Sequence, residues 1–223
     1  RIEFITKRKS KISLMVSSPE SGDGKTHFVI NLAGVYSLVS SKVLLIDLDL
    51  RNPQLSKRLG MDKANGLVNV LIGDNKLEEV IVPASEEVPY DILPVGTIPP
   101  NPAELLRSDE MKNTMDYLKT IYDYVIVDTS PLGLVSDSYA ISSLVDVNLF
   151  VVRVGKTDKT FFRNFIHQMT NEVLSHSYII INDIPKPKHN KKYGYGFGKY
   201  SYAYSGDSKY YHSQSGKYYV DDK

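Results

Sequence analysis

Gly22-Asp23-Gly24-Lys25-Thr26 places two glycines, a lysine and a hydroxyl side chain in five consecutive positions, which is what a polyphosphate requires. Glycines let backbone N–H groups approach an anion, a lysine reaches the β- and γ-phosphates, and a threonine hydroxyl can ligate Mg²⁺. An apolar, strand-like run (Ile12, Leu14, Met15, Val16) precedes the segment and a helix-like run begins at Lys25. A strand that breaks into a glycine loop and enters a helix N-terminus is the layout of a phosphate-binding loop. The first glycine of the pattern G-x-x-x-x-G-K-[ST] falls on Pro19, so the strict pattern is missed by one position and its chemical core is kept. His27 follows on the same helix and enters the nucleotide-contact set by proximity. A surface or packing role suits it better.

Two further segments carry carboxylates where such a loop would need them. Asp47-Leu48-Asp49-Leu50-Arg51-Asn52-Pro53 follows the apolar run Val43–Ile46. Strand alternation turns Asp47 and Asp49 to one side, where they can support Mg²⁺ and orient a hydroxyl. Asp128 follows Val125-Ile126-Val127 in the manner of a Walker B acid that holds the metal through water. The five histidines show no metal-ligand spacing, and no Ser/His/Asp arrangement is indicated.

These groups need a scaffold, and the hydrophobic pattern supplies one. Val43–Ile46, Tyr124–Val127, Val147–Val154 and Tyr178–Ile181 are short apolar runs of the kind that become strands covered on both faces. Tyr90–Val95 is a weaker candidate, whose Pro94 points to a strand end or a sheet edge. Helix-length segments lie between them at 26–40, 102–121, 137–144 and 158–174, with a short helix within 65–73 closed by Gly73. Asn101-Pro102 suits a helix start. Strands alternating with helices predict an α/β fold, a doubly wound, mostly parallel sheet whose ligands sit at the carboxyl ends of the strands.

Composition divides the chain. Residues 1–184 carry −4, whereas residues 185–223 contain eight Lys and three Asp. Nine of the sixteen tyrosines lie between Tyr193 and Tyr219, interleaved with Gly, Ser and Lys. That segment has almost no aliphatic residues and is expected to remain disordered. The expected organisation is a P-loop domain over 1–184 and a flexible tyrosine-rich tail over 185–223. The absence of cysteine excludes disulfide frameworks and thiolate metal sites and fits a reducing compartment. No apolar run approaches 18 residues and no signal-peptide core is present, so the chain as given reads as soluble.

Together these segments resemble the bacterial tyrosine kinases of capsule and exopolysaccharide systems, P-loop enzymes of the MinD/ParA type. The resemblance covers nearly the whole chain. It rests on Gly24-Lys25-Thr26, on Leu44–Pro53 as a Walker A′ segment, on Val125–Thr129 as Walker B, on Leu93–Leu106 with its Pro-Pro-Asn-Pro-x-Glu-Leu-Leu run, and on the terminal tyrosine cluster. The last two features are the selective ones.

The resemblance implies transfer of the ATP γ-phosphoryl group to tyrosine. Gly22, Asp23, Gly24, Lys25 and Thr26 would bind ATP, and Thr26, Asp47 and Asp128 would support Mg²⁺. Asp47 or Asp49 would accept the tyrosine proton. Arg51 would sit near the incoming tyrosine or a neighbouring subunit, and Arg153 and Asn182 match nucleotide contacts. The acceptors would be Tyr193, Tyr195, Tyr200, Tyr202, Tyr204, Tyr210, Tyr211, Tyr218 and Tyr219. The family also implies a ring-like homo-oligomer in which a tail enters the neighbour's site. Its assembly motif Glu-x-x-Arg-x-x-Arg is expected where the chain begins, with Arg1 as the last residue. A membrane polysaccharide co-polymerase or activator segment, fused or separate, would hold the kinase at the cytoplasmic face of the cell membrane. A phosphotyrosine phosphatase would reverse the modification, and nucleic acid is not an expected partner. The competing reading is an assembly-switch ATPase of the MinD/ParA type, in which water is the acceptor. The tyrosine tail argues against it, as does the lack of a lysine between Ser18 and Asp23.

Overall fold

Period-two alternation in the apolar runs produces one sheet with two buried faces. In the computed structural model the described residues are 10–40, 42–61, 65–85, 88–132, 137–170 and 176–185. The chain divides into two units, 1–184 and 185–223. The nine tail tyrosines and Arg1 lie outside the described residues. The strands are β1 (Ile12–Ser17), β2 (Val43–Leu48), β3 (Val82–Ser85), β4 (Val88–Leu93), β5 (Tyr124–Thr129), β6 (Val147–Arg153) and β7 (Ser177–Asn182). They form a seven-stranded sheet in the order β3-β4-β2-β5-β1-β6-β7. Every adjacent pair is parallel except β3 with β4.

Alternate residues of each inner strand enter opposite cores. Leu14 and Val16 of β1, Val43 and Leu45 of β2 and Ile126 of β5 pack with Val29, Ala33 and Tyr36 of helix α1 (Lys25–Ser37). Met15, Leu44, Ile46, Val125 and Val127 face the other way, onto Met111, Met115 and Leu118 of a helix over Asp109–Ile121. Each fully buried aliphatic side chain contributes about 1.5–3 kcal/mol, and both faces are sealed by helices as parallel sheets require. Tyr36 stacks on Tyr124 with ring centroids 4.0 Å apart, closing the base of α1 on β5. Phe150 of β6 meets Phe165 edge-on at 4.9 Å, on the opposite face.

The remaining helices in chain order are α2 (Gln54–Arg58), α3 (Leu67–Leu71), α4 (Leu77–Val80) and α5 (Pro102–Leu105). They are followed by α6 (Asp109–Ile121), α7 (Asp137–Ser142) and α8 (Lys159–Thr170). One expectation needs correction. The single helix expected over 102–121 is broken, because the Ser108 hydroxyl accepts from Met111 N at 3.1 Å and caps α6 as a separate helix. The Tyr90–Val95 candidate is β4, and Pro94 lies just past its carboxyl end, as a proline at a strand end does. Of the two positions expected for it the sheet edge is not the one taken, since β4 is flanked by β2 and β3. The edge beyond it is the short antiparallel β3, which hydrophobic pattern did not reveal.

Sheet register aligns the acidic residues. Asp128 of β5 pairs with Val16 of β1 on one side and with Asp47 of β2 on the other. All three strands then end within two residues, so the loop after β1 opens above both carboxylates.

Candidate active site: a phosphate loop facing three carboxylates

The phosphate loop owes its shape to two glycines. Gly22 (φ 81°) and Gly24 (φ 98°) both occupy left-handed backbone that other residues rarely adopt. Alternating such positions with ordinary ones turns successive N–H groups toward one point, an anion-binding concavity. Gly24 also precedes the first turn of α1, whose N-terminus adds partial positive charge. The Asp23 side chain is buried and turned away from that concavity, accepting from Glu20 N at 3.2 Å. Burial is the main reason its carboxyl is pushed above the usual carboxylate range. Only the Asp23 backbone therefore faces an anion.

Lys25 is buried and held between two carboxylates, with Nζ 3.6 Å from Asp49 Oδ2 and 3.5 Å from Asp128 Oδ1. The Thr26 hydroxyl donates to Asp128 Oδ2 at 2.8 Å. A cation, a hydroxyl and two acids are thus gathered at the carboxyl end of β5. Their burial strengthens every charge interaction among them. Burial pushes the Asp128 carboxyl up, and Lys25 is the strongest opposing influence.

Asp47 is arranged differently from Asp49. Its Oδ2 accepts from Ser56 N at 2.8 Å and Ser56 Oγ at 2.7 Å, and its Oδ1 accepts from Asp49 N at 3.1 Å. Asp49 Oδ1 accepts from Ser130 Oγ at 2.9 Å and Asn52 N at 3.1 Å, leaving Oδ2 toward Lys25. Ser56 and Ser130 were not legible as site residues. Each is a plain serine until the turn after β2 and the end of β5 bring it against an acid.

Desolvation first, and the neighbouring Asp128 charge second, push the Asp47 carboxyl up to about 7. A raised carboxyl pKa means that between about pH 4 and 7 the folded chain holds a proton the unfolded chain has lost. The contribution of Asp47 to stability therefore falls as pH rises through that window. In nucleotide-free protein, urea unfolding from pH 4.5 to 7.5 should show Asp47→Asn gaining on the parent chain as pH rises, by at most about 1.4 kcal/mol per pH unit. A difference between the two that does not change with pH contradicts this.

Of the other expected site residues, Arg153 and Asn182 lie beside the loop. Arg153 Nη1 reaches Gly22 O at 3.4 Å and Asn182 Nδ2 donates to Asp23 O at 3.0 Å. Arg51 is exposed on the segment after β2. His27 is exposed one residue past Thr26, and its backbone carbonyl accepts from Asn31 Nδ2 at 2.8 Å. Among the described residues no three His, Cys, Asp or Glu side chains form a metal cage. A divalent ion bound here would be completed by phosphate oxygens and water, as Mg²⁺ commonly is. The two left-handed glycines and the Lys25, Thr26 and Asp128 set fit a magnesium-bound polyphosphate.

Fold and site together define a P-loop nucleoside-triphosphate-binding domain. Residues 11–175 match the family model described as AAA domain. The chain is 39% identical over 158 residues to tyrosine-protein kinase YwqD of Bacillus subtilis, covering 71% of this chain and 66% of that protein. It is 33% identical over 181 residues to tyrosine-protein kinase CpsD of Streptococcus agalactiae, covering 79% of this chain and 77% of that protein. Against the putative tyrosine-protein kinase EpsB of Ralstonia solanacearum identity is 30%, over 93% of this chain and 28% of that protein. The chain thus spans about two thirds of YwqD and under a third of EpsB.

Among solved structures, the kinase domain of the Escherichia coli tyrosine kinase ETK superposes with a TM-score of 0.77 at 29% identity, over 88% of this chain and 77% of that one. MinD from Pyrococcus horikoshii complexed with Mg-ADP gives 0.59 at 25% identity, over 76% and 68%. The chain belongs to the bacterial tyrosine-protein kinases, and it shares its fold with MinD.

Proposed function

We propose that the chain is an ATP-dependent protein-tyrosine autokinase that modifies the tyrosine cluster Tyr193–Tyr219. The observation that carries this reading is Lys25, buried between Asp49 and Asp128 at the mouth of the phosphate loop, with Thr26 against Asp128. A polyphosphate entering the loop offers Lys25 a stronger anion than either acid. The lysine turns to the β- and γ-phosphates and frees Asp49.

Mg²⁺ held by Thr26 and Asp128 would neutralise charge on the phosphate oxygens. Asp49, anchored by Ser130 and Asn52, then orients the tyrosine hydroxyl and takes its proton. Little base strength is needed, because phosphoryl transfer passes through a loose transition state and depends mainly on position. Asp47 is less suited to that task, since both of its oxygens already accept bonds from Ser56 and Asp49. Its part is to fix the segment that presents Asp49 and to add negative charge beside the metal.

The wider setting follows from the family resemblance. The tail of one copy is expected to enter the site of the next, within a homo-oligomer that Arg51 helps to line. A membrane activator segment would bring the kinase to the inner face of the membrane, where it regulates capsule or exopolysaccharide export, and a phosphatase would reset it. Among the described residues no helix is long and apolar enough to cross a membrane. Deleting residues 193–219 is the separating test. Self-labelling should disappear while ADP affinity stays within about twofold of the parent. Retained labelling at another tyrosine would overturn the acceptor assignment.

A further inference from the structure

Three consecutive carbonyls on the outer side of the phosphate loop are each taken by a side chain from the carboxyl ends of β6 and β7. Lys156 Nζ donates to Ser21 O at 2.9 Å, Arg153 Nη1 to Gly22 O at 3.4 Å, and Asn182 Nδ2 to Asp23 O at 3.0 Å. We propose that Lys156 is a positioning residue for nucleotide binding, which together with Arg153 and Asn182 holds the loop in its anion-binding form. This rests on the nucleotide reading above and extends it to a residue that lies outside the loop and the acidic cluster.

The planar trans peptide makes the link. In each unit the C=O and the following N–H point in opposite directions. Fixing the carbonyls of residues 21, 22 and 23 outward therefore fixes the N–H groups of Gly22, Asp23 and Gly24 inward, and those are the donors a phosphate meets. Without outer partners the same peptides are free to rotate, and binding has to pay for ordering them.

The glycines leave room for this clamp. A Cβ on Gly22 would lie 2.0 Å from Lys156 Nζ, and one on Gly24 would lie 2.3 Å from Asn182 Nδ2. The donors thus sit directly against the backbone that the glycines leave uncovered.

The clamp is itself braced. Arg153 and Asn182 are register partners in β6 and β7, and Arg153 Nε pairs with Asp183 Oδ2 at 3.0 Å. The turn that projects Lys156 is closed by Lys156 N and Thr157 N donating to Arg153 O, and by Arg153 N donating to Thr157 Oγ1 at 2.8 Å. Lys156 lies more than 130 residues from the loop in sequence, and only the β1–β6 pairing brings its turn beside it.

The test compares Lys156→Met and Lys156→Arg with the parent chain. ADP and ATP affinities are measured by calorimetry and loop amide exchange by mass spectrometry in nucleotide-free protein. Lys156→Met is expected to weaken ADP and ATP by the same factor, about five- to tenfold, and to speed exchange of the 21–24 amides. In turnover, KM for ATP should rise by that factor while kcat changes less than threefold. Lys156→Arg, which keeps a long cationic donor, should restore affinity and exchange to within about twofold of the parent.

Unchanged affinity and exchange in Lys156→Met would overturn the proposal. So would a loss much larger for ATP than for ADP, which would place Lys156 on the terminal phosphate instead. If the parent chain binds neither ADP nor ATP the nucleotide reading fails. If the parent binds and Lys156→Met binds equally well, only the clamp fails.

Discussion

Lys25→Met is expected to lower tyrosine phosphorylation by at least about 10³-fold, the size of effect seen when a charged group aimed at a developing anion is removed. The reasoning starts from what Lys25 does before any nucleotide arrives. Its ammonium is buried within 3.6 Å of Asp49 and Asp128, so the site is poised with one mobile cation between two fixed acids. Methionine keeps the length and apolar stem but leaves both acids without that cation. Asp128, whose proton affinity Lys25 lowers, then holds its proton more tightly, which weakens metal support.

The fold should survive with reduced stability, since the sheet and both cores are untouched. Removing one member of a buried ion pair costs up to about 3–5 kcal/mol before protonation relieves it. Intact-mass analysis after incubation with ATP and Mg²⁺ reads the activity, and urea unfolding reads the stability. Residual labelling above a few per cent of the parent would show that Lys25 is not the phosphate cation.

Asp128→Asn separates metal support from loop geometry. The asparagine oxygen can still accept from the Thr26 hydroxyl, now at 2.8 Å from Asp128 Oδ2, so local shape is kept while a buried negative charge is lost. Activity should fall about 10²–10³-fold because an ion held at Thr26 would lose its acidic partner. Binding should respond with opposite signs. Mg-ADP is expected to bind more weakly than in the parent, and ADP with chelator equally or more tightly, because a carboxylate facing the phosphates has been neutralised. Calorimetry with and without Mg²⁺ decides it. Equal weakening in both conditions would mean that Asp128 acts on the loop and not through a metal.

The parts of this site that were legible in the sequence are those carried by local pattern. Apolar runs ending in Asp47 and Asp128 mark buried strands with an acid at the carboxyl end, and glycines flanking Asp23 mark a loop no other residue type would build. Partners created by register and turns were not legible. Ser56 reaches Asp47 only because the chain reverses after Pro53, and Ser130 reaches Asp49 only because β2 and β5 are neighbours. Lys156 had a partial signal, a Gly155-Lys156-Thr157 turn at the end of a strand already suspected of facing the nucleotide, but turns with lysine are common on surfaces. The break at Ser108 was missed because the helical period continues across it, and only the serine's cap distinguishes two helices from one. The proposal of Asp49 over Asp47 as proton acceptor likewise rests on hydrogen-bond partners, which spacing alone does not supply.

The most direct measurement is intact mass followed by site mapping of the purified chain incubated with ATP and Mg²⁺, alone and with a membrane-activator segment added. The expected result is stepwise addition of phosphate confined to Tyr193–Tyr219, absent in Lys25→Met. Release of ADP and free phosphate without any gain in mass, under both conditions, would contradict tyrosine phosphorylation and identify water as the acceptor.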